Sequence, residues 1–139
     1  MRYKIHYHAL LTHFPISFFV CAFTFQILHL FWAPICFELA TNVTLLMGTI
    51  MMIPTTLTGW QTWKRNYRGA QVPLFQRKIF LAFILLGISI PLTIWREVYL
   101  GIFVEVPFGP SHWLYLAGNA ILIAGAAAEG FYGGQLNHR

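Results

Sequence analysis

Apolar residues gather in four runs along the chain, at about residues 14–32, 41–63, 78–99 and 111–133. Each is close to the roughly 20 residues a helix needs to cross the hydrocarbon core of a bilayer. Polar and helix-breaking residues separate them. Ala33-Pro34 closes the first run, because proline cannot continue a helix and restricts the residue before it. Thr41-Asn42 are good helix N-cap types and open the second, while Ser111 follows Gly109-Pro110 at the start of the fourth. The pattern predicts an all-α integral membrane four-helix bundle, with residues 1–139 forming a single four-span domain. All five tryptophans, Trp32, Trp60, Trp63, Trp95 and Trp113, fall at span ends. Tyr3, Tyr7, Tyr67, Tyr99, Tyr115 and Tyr132 fall near them, so two aromatic belts are expected at the headgroup level.

Composition agrees with a bilayer environment: 58% of the 139 residues are hydrophobic and 9% charged. Four spans use most of that length and leave little for a soluble catalytic domain. The charges are sorted by side. Arg2, Lys4, Lys64, Arg65, Arg68, Arg77, Lys78 and Arg139 fall on one side of the four spans, and only Arg96 lies opposite, with Glu38, Glu97 and Glu105. By the positive-inside rule both termini are expected in the cytoplasm, an N-in/C-in arrangement. The net charge of +5 does not point to nucleic acid, because the basic residues sit where topology demands them. Cys21 and Cys36 have no CxxC or CxxCH spacing, so a disulfide framework, a zinc site and covalent c-type haem are unsupported. The first apolar run lacks an A-x-A-like cleavage site and reads as a retained span.

Pro15, Pro54 and Pro91 punctuate the first three spans, each freeing a carbonyl about one turn earlier. In a membrane such groups must be satisfied locally, and Thr55, Thr56, Ser89 and Thr93 are at hand. In the fourth span Gly118, Ala120, Ala124, Gly125, Ala126, Ala127, Ala128 and Gly130 offer a small-residue surface for close helix packing.

Histidine is the abundant ligand type, and the histidines fall in two layers. His8 and His13 lie toward the basic side; His29 and His112 lie toward the other. His13 and His29 are separated by about 24 Å of straight helix and cannot share a site. In the outer layer His29 and His112 could approach if the first and fourth spans are neighbours, as an axial haem pair; as residues at span ends they could equally contact water. In the inner layer Glu129, an acid within a predicted span, calls for a partner among His8, His13, Arg77 and Lys78. It would serve as a cross-tie between the first and fourth spans or as part of a proton relay. Asn119, deeper in the fourth span, reads as an interhelical hydrogen-bond donor.

The segment His8-Ala9-Leu10-Leu11-Thr12-His13-Phe14-Pro15-Ile16 resembles the H-P-x-x-x-H-F-P-I opening of a family of small, four-span bacterial membrane proteins of unknown function. Thr58-Gly59-Trp60-Gln61-Thr62-Trp63 and Gly133-Gly134-Gln135-Leu136 resemble two further family elements, so the likeness spans nearly the whole chain. It implies the four-span architecture, a place among membrane redox components of the bacterial cytoplasmic (inner) membrane, and haem b as a candidate cofactor; the histidines of the two layers, His13, His8, His29 and His112, are the candidate ligands. Ala9 replaces the first proline of that motif, and the third span carries no histidine where many relatives have one. A haem held between His13 and the third span would lack half of its ligation.

Three functions follow. The first is a small integral subunit of a larger electron-transfer complex, bound to other subunits and to the lipid bilayer, with no nucleic acid and little catalysis of its own. The apolar connector from Leu100 to Gly109, too short for a span, supports it as a surface wanting cover. The alternative is a b-type haem cytochrome unit. The third, a transporter or channel, is disfavoured by the absence of an inverted repeat and by so few charges within the spans.

Overall fold

The computed structural model describes the backbone of residues 7–32, 34–69, 71–101 and 109–137. Four long helices account for nearly all of them: α1 (Tyr7–Trp32), α2 (Ile35–Asn66), α3 (Pro73–Ile94) and α4 (Pro110–Asn137). A π-helical turn, Trp95–Tyr99, continues α3. All four helices are long and apolar enough to cross a membrane. Consecutive helices pack side by side, and α4 closes the ring against α1.

Proline sets three of the four starts. Pro34 caps α2 with an extended backbone, Pro73 is the first residue of α3 and Pro110 that of α4, where a missing N–H costs nothing. The second helix consequently begins before the expected Thr41-Asn42 cap. Thr41 instead donates back to Phe37 O at 2.9 Å, an ordinary bond within a helix. Glu38 thereby enters the first turn of α2, where the helix dipole favours an anion. Glu38 and Glu129 are thus both acids within the helices. At its other end α2 stops at a left-handed Arg68-Gly69 pair, with the Gly69 N–H returning to Trp63 O at 3.2 Å.

The core runs along the bundle axis through Phe19, Ala22, Leu45, Met52, Leu85, Leu122 and Ala126. Glycine permits the closest approaches. A Cβ on Gly48 would sit 2.8 Å from the Phe19 ring, and one on Gly118 would sit 2.8 Å from the Leu92 methyls. Ala124, by contrast, is exposed, so the face of α4 that meets its neighbours is the one carrying Gly118, Gly125 and Ala126. The carbonyl of Leu11, freed by Pro15 one turn later, accepts a bond from Thr55 Oγ1 on α2 at 3.2 Å. A proline defect in one helix is thus satisfied by a hydroxyl from the next, as a membrane interior requires.

Candidate functional site

The polar side chains of the interior concentrate at the bundle end where α1 finishes, α2 and α4 begin and the π turn lies. Arg96 is fully buried and lies within the π turn. Its Nη2 donates to Glu38 Oε1 at 2.9 Å and its Nη1 to Gly101 O at 2.8 Å. Gly101 has φ 87°, a conformation natural to glycine, and so presents that carbonyl. The guanidinium carbon lies 5.7 Å from the centre of the Tyr115 ring, within cation–π range. Arg96 and Glu38, 58 residues apart, tie the end of the third span to the start of the second.

Two histidines complete the cluster. His29 is 1% and His112 3% exposed, so neither is a water-contacting residue of a span end. Their ring centres are 5.9 Å apart. His29 Nδ1 lies 3.1 Å from Pro34 O and its Nε2 3.7 Å from Glu38 Oε2. One layer deeper, Tyr115 donates from its hydroxyl to Asn42 Oδ1 at 3.0 Å, and Asn119 Nδ2 donates to Gln26 Oε1 at 2.7 Å. Tyr115 is therefore an interior residue and not part of an aromatic belt. Gln26, His29, Glu38, Thr41, His112 and Tyr115 line a small, partly open cavity of about 10 Å³. That is the space of one water.

At the opposite end the expected inner group is not assembled in the same way. His13 is exposed, and the side chain of His8 lies outside the described residues. Glu129 is buried, and the charge acting on it is that of Lys78, whose amine lies against Gly133 of the same helix. Among the described residues, no hydrogen bond or salt bridge reaches Glu129. Sequence reasoning brought His29 and His112 into one layer but missed Glu38, Arg96, Gln26 and Tyr115. One signal was present: Arg96 is the single basic residue on the sparsely charged side, where topology gives it no reason to be.

The arrangement can exchange hydrogen bonds and protons. A substrate needs far more space, about 300–1,000 Å³ in a typical ligand pocket. Glu38, Thr41 and Tyr115 line the same small cavity as His29 and His112. Among the described residues, no group of three or more His, Cys, Asp or Glu side chains is placed to hold a metal ion.

A family model described as "Predicted membrane protein (DUF2231)" matches residues 4–139. No curated protein and no solved structure matches the chain.

Proposed function

We propose a function for a chain that belongs to this family of predicted membrane proteins: a small integral subunit of a larger electron-transfer complex in the bacterial cytoplasmic membrane, with little catalysis of its own. The observation that carries this reading is the tied polar interior. Glu38–Arg96, Tyr115–Asn42 and Asn119–Gln26 join the buried polar side chains of all four spans to one another, and the cavity described among them is small. Meanwhile Phe31, Trp32, Val98, Tyr99 and Leu114 stand exposed at the same end, Val98 and Tyr99 directly before the apolar connector in sequence. They offer an aromatic and aliphatic rim to a neighbouring subunit or to the headgroup region.

In the orientation we infer, the end carrying Lys64, Arg65, Arg68, Arg77 and Lys78 faces the cytoplasm and the Glu38–Arg96 cluster faces the opposite side. Gentle solubilisation from the native membrane, followed by native-mass measurement, tests the subunit reading. The expected result is migration with companion subunits. A stable, monodisperse monomer without companions would contradict it.

The 5.9 Å separation of His29 and His112 favours a second reading, a b-type haem between them. It requires α1 and α4 to part and Glu38 to withdraw. A reduced-minus-oxidised spectrum of protein purified from its native membrane decides it: a b-type band abolished by His29→Ala supports the haem, and no band removes it.

A further inference from the structure

We propose that α2 carries a binding site for one anionic phospholipid of the leaflet at the basic end of the bundle. Lys64 and Arg68 hold its phosphate, and an acyl chain lies along Trp60, Leu57, Ile53 and Ile50. These four apolar side chains are exposed, and so is Lys64. At roughly 100° of turn per residue, all five fall within an arc of roughly 80° on one face of the helix. From Ile50 to Trp60 the strip is about 15 Å long, half of a hydrocarbon core about 30 Å thick. It therefore has the length of one leaflet, apolar along its run and cationic at its end.

The cationic end of the strip is held in place. Lys64 Nζ lies 4.1 Å from the centre of the Trp60 ring, so the ammonium sits over a tryptophan at the headgroup level. Arg68 follows where α2 ends, and its φ of 50° is a conformation that residues other than glycine rarely adopt. Because the Gly69 N–H returns to Trp63 O at 3.2 Å, the chain folds back over the last turn and keeps the Arg68 backbone close to that of Lys64. Tyr67 and Phe75 pack with ring centres 4.4 Å apart, which ties this turn to the start of α3.

Charge complementarity identifies the headgroup. Lys64, Arg65, Arg68 and Arg77 are exposed, and among the described residues none of them forms an ion pair with a carboxylate. Of the four acids in the sequence, Glu129 alone falls toward this end; it is buried, and the charge acting on it is that of half-buried Lys78. The positive-inside rule accounts for cations gathering here but leaves their potential uncompensated. An anionic headgroup neutralises it, each basic residue near the surface being worth roughly fivefold in lipid affinity. A zwitterionic headgroup brings a cation of its own and gains less. Arg65 and Arg77 lie off the strip and add to the field. The site stands whether or not the chain belongs to a complex, and it lies at the opposite end of the bundle from the rim offered to a neighbouring subunit.

The test is native mass spectrometry of the full chain, released from detergent and titrated with phosphatidylglycerol or with phosphatidylcholine of the same acyl chains. The first phosphatidylglycerol should bind about tenfold more tightly than the first phosphatidylcholine. Lys64→Gln with Arg68→Gly, the glycine suiting the positive φ, should reduce that preference to about twofold or less. If this variant loses its helical circular dichroism, Lys64→Gln alone should lower the preference in the same direction by less. Lys64→Arg with Arg68→Lys, which keeps both charges, should retain it. Arg2→Gln with Lys4→Gln removes as much charge from the same side of the sequence and should leave the preference within about twofold of wild type. No headgroup preference in wild type, a preference untouched in whichever Lys64→Gln variant folds, or an equal loss in Arg2→Gln with Lys4→Gln overturns the site. So does a second copy or a companion protein that the wild type retains and the Lys64→Gln variant loses, because the strip would then belong to protein.

Discussion

Asn119 and Gln26 show at the residue scale how this interior is specified. Each is buried on a different helix, and the bond between them turns two polar groups into a single contact. Asn119→Leu leaves Gln26 with an acceptor and a donor both unmatched in the interior, which should cost about 1–3 kcal/mol of stability. Replacing both residues by Leu should recover most of that loss, because two apolar groups strand nothing. Unfolding in mixed micelles measures both. The role of Asn119 as an interhelical donor was legible in the sequence, since a lone amide inside an apolar span needs a partner. That Gln26 is the partner was not, because nothing in a single sequence fixes the rotation of two helices about their axes. Arg96 and Glu38 were harder still: the sequence placed both on the same side of the bundle, but not in contact, and Arg96 is buried within a π turn that nothing in the pattern announces.

At the scale of elements, close packing of the fourth helix was readable from its alanines and glycines, but not the face that does it. A helix rich in small residues has no polar stripe to orient it. The structure turns Gly125 toward Leu85 and leaves Ala124 exposed. Gly125→Leu should therefore separate α3 from α4 and lower stability by about 1–3 kcal/mol or more, as overpacking does. Ala124→Leu should lie within about 0.5 kcal/mol of wild type. Thermal unfolding of the two variants side by side checks the assignment. The proline in α1 makes a similar case. Thr55→Val should remove the donor to the Leu11 carbonyl, at about 0.6 kcal/mol, the mean for hydrogen bonds between membrane helices.

For the whole molecule, the four-span architecture followed from the hydrophobic pattern, because bilayer thickness leaves a chain few alternatives. Its orientation rests on the basic residues at one end. Cys36 is exposed at the other, and a membrane-impermeant thiol reagent should label it in intact cells while a cysteine placed at Arg68 stays protected. The reverse pattern would invert the topology. Glu38 and Arg96 together tie one end of the bundle. A double-mutant cycle tests this most directly, with the unfolding free energy measured for wild type, Glu38→Gln, Arg96→Met and the double variant. Arg96→Met alone should cost about 3–5 kcal/mol, since it strands a buried carboxylate. The double variant should lose clearly less than the sum of the single losses, a coupling above about 1 kcal/mol. Single effects that add to within about 0.5 kcal/mol would contradict the pair, and with it the tied polar interior on which the functional reading stands.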